Sequence, residues 1–432
     1  MIITRDKNID RTGKQDVTNE LQEIINASKG EEIYISEGTY LVSALFIHSN
    51  THIILDNEAV ILGTTDESKY SLIDTRVAGI EMKWYPAIIN VIGANHVTIS
   101  GGGTICGAGQ YFYNKYWGND KLGGMRAEYD KLGLRWACDY DCMRVRNVLV
   151  SNSSDIKLMD FSSEDSGFWN IHILYSNNVY VSNIEIISDA PNAPSTDGID
   201  IDSSYNCIIE NITASVNDDS IVIKSGRDTD GLRVNIPSHD ITISNCNILK
   251  GYGITLGSEV SGGIYNININ NIKYNGTDCA FRIKSSYPRK GYIKNINVNG
   301  LDCKNVKYLF HWHLNWNPNY NITTIPNDIK IKKPYWDILT KIPSDDISPT
   351  IVEDINISNV KSYYTDDYEG ISRIFTLIGY DNCPMKNIIF NNVDAKMKEY
   401  GIISNVLKIT YENCNLLYST KYDKSNDDFD NR

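Results

Sequence analysis

The sequence predicts an all-β fold: a single-stranded right-handed parallel β-helix, a solenoid, with an N-terminal capping helix and two aromatic-rich loop insertions. Three observations predict it. A seven-residue motif recurs along most of the chain, aliphatic residues alternate within each copy, and no helical periodicity fills the intervals. The motif reads Asn178-Val-Tyr-Val-Ser-Asn-Ile, Asn206-Cys-Ile-Ile-Glu-Asn-Ile, Asp240-Ile-Thr-Ile-Ser-Asn-Cys, Asn266-Ile-Asn-Ile-Asn-Asn-Ile, Asn295-Ile-Asn-Val-Asn-Gly-Leu, Asp354-Ile-Asn-Ile-Ser-Asn-Val and Asn387-Ile-Ile-Phe-Asn-Asn-Val, with weaker copies from Asn95, Asp155 and Lys408. Its first inward positions are 97, 156, 179, 207, 241, 267, 296, 355, 388 and 409, most of them 21–34 residues apart. A repeat of about 20–50 residues marks a solenoid or a propeller. Period-two alternation makes each copy a strand with one face inward. The simplest arrangement lays each strand on that of the preceding coil, about 4.8 Å away. Asn at the corners tolerates the left-handed backbone of a sharp turn, and stacked Asn side chains can hydrogen-bond along the column.

The elements follow in order. Asp16–Ile25 has apolar residues at 17, 21, 24 and 25, one face of a short helix with Asp16 or Thr18 as N-cap, and reads as the lid on the first coil. Gly38–Val42 and Thr51–Leu55 begin the strands. The two 59-residue intervals in the repeat hold insertions, about 107–143 (Tyr111, Phe112, Tyr113, Tyr116, Trp117, Trp136) and about 311–350 (Trp312, Trp316, Tyr320, Trp336). The expected organisation is one β-helix domain, 1–420, and a disordered tail, 421–432.

Composition narrows the function. The chain has 432 residues, 41% hydrophobic and 22% charged, with net charge −13. It has ample core, and its acidity argues against nucleic acid or an anionic membrane as partner. No run of about 18 apolar residues exists to span a bilayer. The opening Met1-Ile-Ile-Thr-Arg-Asp-Lys-Asn has no apolar run of signal-peptide type, so the sequence as it stands reads as cytoplasmic, or as secreted after loss of a leader. Oligomeric state is not legible. Nine dispersed cysteines read as reduced, mostly buried thiols, with 207, 246 and 414 inward on strands. Cys138 and Cys142 lack a second pair to complete a zinc site, and Asp228-Thr-Asp-Gly231 lacks the later Glu of a calcium loop. No metal or cofactor is expected.

Polar residues break the pattern at one place along the stack. Ser195-Thr-Asp-Gly-Ile-Asp-Ile-Asp202 is followed one coil later, 21 residues from Asp197 to Asp218, by Asn217-Asp-Asp-Ser-Ile-Val-Ile-Lys224. With Ile199, Ile201, Ile221 and Ile223 inward, Asp200 and Asp202 face outward, and Asp197, Asp218 and Asp219 sit at the leading ends of their strands. Gly251-Tyr-Gly253 and Arg282-Ile-Lys284 continue the column, with Arg282 and Lys284 on one outer face. Carboxylates stacked this closely repel, so one is expected to hold a proton while another stays ionised, as acid–base chemistry requires. Lys224, Arg227, Arg233, Arg282, Lys284, Arg289 and Lys290 are expected to give a local basic patch for an anionic chain. Arg144 and Arg146 either reach the cleft or lie exposed, Trp169 and His172 either bind substrate or pack, and His311 and His313 are expected to lie away from the cleft.

These four motifs resemble family 28 of the glycoside hydrolases, the polygalacturonase family, whose signature is Asn-Thr-Asp, Asp-Asp, Gly-His-Gly and Arg-Ile-Lys. The resemblance covers most of the chain up to about 300. It implies a right-handed parallel β-helix that cleaves pectic polysaccharide or oligosaccharide with inversion. It further implies Asp218 as general acid, Asp197 and Asp219 as holders of the attacking water, and Arg282 and Lys284 as binders of a substrate carboxylate, with Tyr252 beside them. An inverting carboxyl pair ordinarily lies about 6.5–9.5 Å apart. Tyr252 stands where the family has His, and Ser195 where it has Asn. Both changes favour a different sugar at the cleavage point or an exo-acting relative, and insertions folded over one end of the groove would favour exo-action. A rhamnogalacturonan hydrolase or rhamnohydrolase, a polysaccharide lyase of the same fold, and a non-catalytic carbohydrate-binding solenoid are the alternatives.

Overall fold

The computed structural model describes residues 1–28, 30–321, 323–330 and 332–427. The chain winds as a right-handed parallel β-helix. Among the described residues the strands form a 22-stranded and an 11-stranded sheet in which the strand pairings are parallel. The ten inward positions read from the repeat fall into one column. Val97 pairs with Ile156, which pairs with Val179, then Cys207, Ile241, Ile267, Ile296, Ile355, Ile388 and Ile409. All but Ile409, on the last coil, are buried. Each buried Val or Ile side chain contributes about 1.5–3 kcal/mol relative to exposure. Cys207 and Cys246 are buried in this core and Cys414 packs against its end.

The corners turn where the sequence placed Asn. The residue before each inward strand is left-handed: Asn178 (φ 53°), Asn206 (φ 51°), Asp240 (φ 53°), Asn266 (φ 55°) and Asn295 (φ 54°). So is the residue after it, as at Asn183 (φ 54°), Asn211 (φ 55°) and Asn271 (φ 55°). Their side chains stack along the solenoid: Asn295 Nδ2 donates to Asn266 Oδ1 at 2.6 Å, Asn266 to Asp240 at 3.0 Å, and Asn392 to Asn359 at 2.6 Å.

The helix Thr18–Ala27 covers the first coil with Leu21, Ile24 and Ile25, and Asp16 Oδ1 accepts the Thr18 N–H at 3.0 Å. The first insertion folds into three helices, Gln110–Trp117, Gly124–Lys131 and Arg135–Asp141. The second follows the strand Tyr308–His313 and includes the short helices Pro318–Asn321 and Trp336–Leu339. Residues 428–432 of the tail lie outside the described residues, while Asp427 pairs with the buried Arg373 at 2.6 Å.

An antiparallel hairpin, Ile73–Val77 with Ile80–Trp84, was not expected. It joins both insertions in an apolar cluster outside the lumen, containing Val77, Trp84, Trp136, Tyr140, Phe168, Trp169 and Trp336. This second layer covers part of the 11-stranded sheet, and the site lies beside it.

Candidate active site

The 11-stranded sheet takes one strand from each coil, including Ile171–Leu174, Ile199–Asp202, Ile221–Lys224, Ile254–Leu256, Cys279–Lys284 and Tyr308–His313. In-register pairing stacks Asp200, Val222, Thr255, Arg282 and His311 as one outward row. A second row carries Asp202 beside Lys224, with Lys284 two coils on. Asp197 and the Asp218–Asp219 pair precede their strands, at the bends where two adjacent side chains can share one site.

There the three acids meet. One carboxylate oxygen from each of Asp197, Asp218 and Asp219 lies within 4.8 Å of the others. This is closer than the separation expected for an inverting pair. The cause is the stacking itself: adjacent coils set Asp197 and Asp219 one strand spacing apart, and Gly198 N–H donates to Asp219 O at 2.9 Å. A water about 2.8 Å from two oxygens 4.8 Å apart would still see them at about 118°, close to tetrahedral.

The acids differ in their surroundings. Asp219 is fully buried and accepts from Lys284 Nζ at 2.6 Å and Thr255 Oγ1 at 2.7 Å, with Arg282 Nη1 at 3.5 Å. Burial acts to raise its pKa, but the charges of Lys284, Arg282 and Lys224 outweigh it and hold the group below the usual carboxylate range. Asp218 is raised, first by burial and then by the charge of Asp219. Asp197 is pushed up to about 8 by burial and then by Asp218, against the pull of Lys224. Lys224 Nζ lies 3.4 Å from each of Asp197, Asp200 and Glu259.

Two cavities meet at the acids. The smaller, about 90 Å³, is lined by residues that include Asp197, Asp219, Lys224, Glu259, Lys284, Phe168, Trp169, Arg135, Asp139 and Tyr320. The larger, about 580 Å³, is a groove that includes Trp117, Lys121, Arg126, Tyr252, Arg282, Lys307 and His311. Asp218, Ser195, Arg135 and Trp316 border both. The Arg282 guanidinium lies 4.4 Å from the Tyr252 ring centre, and Lys284 lies 4.6 Å from that of Trp316.

A buried arginine ties the far wall of the smaller cavity. Arg227 donates to Tyr140 Oη at 2.9 Å and Tyr320 O at 3.1 Å, and its backbone N–H donates to Gly79 O at 2.9 Å. Tyr140 Oη in turn donates to Ala78 O at 2.9 Å. The hairpin, the first insertion, the second insertion and the solenoid are thereby joined behind one end of the site.

Several expectations are corrected. Asp200 and Asp202 do face away from the lumen, but both are fully buried under the second layer. Asp202 pairs with the buried Arg76 at 2.9 Å, and His172 Nε2 lies 3.7 Å from it. Arg144 and Arg146 are neither exposed nor in the cleft. Arg144 donates to Pro194 O at 2.7 Å and so braces the loop before Asp197, and Arg146 donates to His172 Nδ1 at 2.8 Å. His311 lines the larger groove after all. The seven basic residues do not form one patch. Arg227 and Arg289 are interior and both pair with Asp228, Arg233 lies out at Glu81, and only Lys224, Arg282 and Lys284 enter the site. Glu259 was missed. Its only sequence signal is its place 35 residues, about one coil, after Lys224.

The profile of the family described as Glycosyl hydrolases family 28 matches residues 73–342, and that of Rhamnogalacturonase A/epimerase, pectate lyase-like, matches residues 2–109. The chain is 28% identical over 304 residues to a probable polygalacturonase of Vitis vinifera, an alignment covering 68% of this chain and 58% of that protein's own length. It is 24% identical to an endo-polygalacturonase of Pectobacterium parmentieri, covering 65% of this chain and 67% of the relative. Its fold is similar to a hyperthermoactive exopolygalacturonase of Thermotoga maritima (TM-score 0.72, 23% identity, 96% of this chain and 91% of that one). It is similar also to a family 28 exopolygalacturonase of Yersinia enterocolitica (TM-score 0.72, 19% identity, 98% and 77%). With the family profile running through the acids, Tyr252, the Arg282–Lys284 pair and most of both insertions, the chain belongs to family 28 of the glycosyl hydrolases.

Proposed function

We propose that this protein is an exo-acting, inverting glycoside hydrolase that cuts α-glycosidic bonds in galacturonic-acid-containing pectic polysaccharide or oligosaccharide. The observation that carries the reading is the convergence of three acids at the junction of a small pocket and a larger groove. The acid that protonates a leaving oxygen must border the leaving sugar. Asp218 lines both cavities, whereas Asp197 and Asp219 line the smaller one alone. Asp218, with a raised pKa, is therefore the general acid. Asp219, held ionised by Lys284, takes the proton of a water bridged to Asp197. That water attacks the anomeric carbon of the sugar in the smaller pocket, the electron pair of the breaking bond goes to the leaving oxygen, and Asp218 supplies its proton. Arg282, Lys284 and Tyr252 bind the substrate around the scissile bond, with Arg282 offering a fork that fits a carboxylate.

Exo-action follows from the wall behind Arg227. The sugar carrying the attacked carbon lies on the non-reducing side of the bond, and its pocket is walled by Ala78 and Tyr320, both held by Arg227 and Tyr140. Product profiling tests this: a single small sugar accumulating from the start supports it, and an early ladder of mixed oligomers refutes it.

The match of residues 2–109 to the rhamnogalacturonase-like profile favours one second reading, a rhamnogalacturonan-directed hydrolase or rhamnohydrolase. A non-catalytic binding solenoid fits less well, since three clustered acids cost stability through mutual repulsion and desolvation, a cost that a catalytic role explains and simple binding does not. A lyase needs an unprotonated base, and Lys224 is held charged: burial lowers its pKa, but Glu259, Asp197 and Asp200 raise it further.

A further inference from the structure

We propose that Arg144 is a positioning residue for the reaction: it pins the turn that delivers Asp197 and makes the placement of that acid depend on the first insertion. This rests on the assignment of Asp197 as a holder of the attacking water, and deepens it by naming what fixes that acid.

Asp197 does not sit on a strand. It ends the loop that leaves the strand Glu185–Ser188 and precedes the strand Ile199–Asp202. The solenoid grips this loop at its end. Thr196 Oγ1 donates to Ser188 O at 2.8 Å, and the Asn170 backbone N–H and Nδ2 donate to Asp197 O at 2.8 and 3.1 Å. Two residues before Asp197 the chain turns through Ser195, which is left-handed at φ 53°. A residue with a Cβ keeps that conformation only where its surroundings hold it there.

Arg144 supplies the hold. Its Nη1 donates to Pro194 O at 2.7 Å and its Nη2 to Ser195 Oγ at 3.3 Å. One planar guanidinium thus spans the turn, a grip that the compact ammonium of a lysine does not reproduce. Arg144 is fully buried and lines neither cavity, so it acts on substrate only through its neighbours. Those neighbours do line them: Ser195 borders both, Phe168 and Asp139 the smaller, and Tyr116 the larger. The guanidinium lies over the Tyr116 ring at 4.4 Å and over the Phe168 ring at 4.5 Å, and its Nη2 is 3.6 Å from Asp139 Oδ1. Tyr116 Oη donates to the same oxygen at 2.8 Å. Tyr116 and Asp139 belong to the helices Gln110–Trp117 and Arg135–Asp141 of the first insertion. The insertion therefore sets the guanidinium, the guanidinium sets the turn, and the turn sets Asp197. A misplacement of about 1 Å at a reacting group can cost roughly 10²-fold in rate.

The test is a double-mutant cycle on kcat with galacturonate oligosaccharides, each value referred to the folded fraction measured by urea unfolding. A merely stabilising role for Arg144 would move the unfolding curve and leave these kcat values alone. Arg144→Lys keeps the charge and loses the fork, and should lower kcat by roughly 10–100-fold with KM changed by less than about threefold. In the Asp197→Asn background the same substitution should cost less than about threefold more, because the placement it secures no longer serves the reaction. Native kcat in Arg144→Lys, or a loss as large in the Asp197→Asn background as in the native one, would overturn the inference while leaving the role of Asp197 intact. Native kcat in Asp197→Asn would overturn that role and the inference with it. Should Arg144→Lys yield no folded protein, Arg144→Gln takes its place in the cycle with the same expected results.

Discussion

Replacing Lys284 by Met removes the cation that keeps Asp219 ionised while keeping most of the side chain's volume. Both groups are buried, and their 2.6 Å contact is worth at most about 6 kcal/mol at an effective dielectric near 20. Thr255 and Arg282 remain beside Asp219 and recover part of that, so the expected loss of stability is about 3–5 kcal/mol, as for other broken buried pairs. The same substitution removes the largest charge that holds the pKa of Asp219 down, so that pKa should rise. Asp219 works as an anion, so the acid limb of kcat/KM against pH should move toward neutrality, read by reducing-sugar release from galacturonate oligosaccharides. Stability should follow the same sign. In the native protein the depressed pKa of Asp219 stabilises the fold above the unfolded carboxylate pKa, near 3.9, and this is lost as pH falls through the folded value. The variant lacks that contribution, so the two stability curves should converge in acid. An acid limb that stays where it was, with activity merely scaled down, would refute the role given to Lys284.

The other expectations concern the remaining parts of the site. Asp218→Asn should lower kcat by roughly 10²–10⁴ with KM nearly unchanged, and a variant retaining a tenth or more of native kcat would remove Asp218 as the acid. Burial and then the charge of Asp219 hold the Asp218 carboxyl above the usual carboxylate range, so activity should persist above that range and fall only as pH rises further and the acid loses its proton; an alkaline limb inside the usual carboxylate range contradicts Asp218 as the acid. Arg227→Met should cost about 3–5 kcal/mol of stability by freeing the wall segments, and in the folded fraction longer products should appear beside the single sugar. Ile223→Ala, in the lumen beneath the site, should cost about 2–5 kcal/mol in urea unfolding.

The solenoid was legible because its forces are local and repeated. Each inward Ile or Val and each corner Asn is dictated by its own seven-residue copy, so the ten positions that align in the sequence fall into one column of the fold. The convergence of Asp197, Asp218 and Asp219 was legible for the same reason, since coil spacing alone brings 197 beside 218. What sequence did not carry was the second layer. The hairpin Ile73–Trp84 and the insertions have no repeat, so nothing local says that Tyr140, Tyr320 and Ala78 meet at Arg227. For the same reason Asp200, Asp202, Arg144 and Arg146, correctly facing away from the lumen, could not be recognised as buried. The basic residues counted along the chain were dispersed by that layer, which took Arg227 and Arg289 into the wall. Glu259 escaped notice because a lone Glu after a Gly-Ser corner has no signature until Lys224 is seen beside it.

The central claim is that Asp197 and Asp219 direct a water at the anomeric carbon while Asp218 protonates the leaving oxygen. Because the acids lie within 4.8 Å of one another, nearer the spacing of retaining enzymes, stereochemistry is the sharpest test. Proton NMR of the first-formed sugar, recorded before mutarotation, should show the β-anomer arising from an α-linked substrate. First appearance of the α-anomer would mean that one of the three attacks carbon directly and would contradict the account.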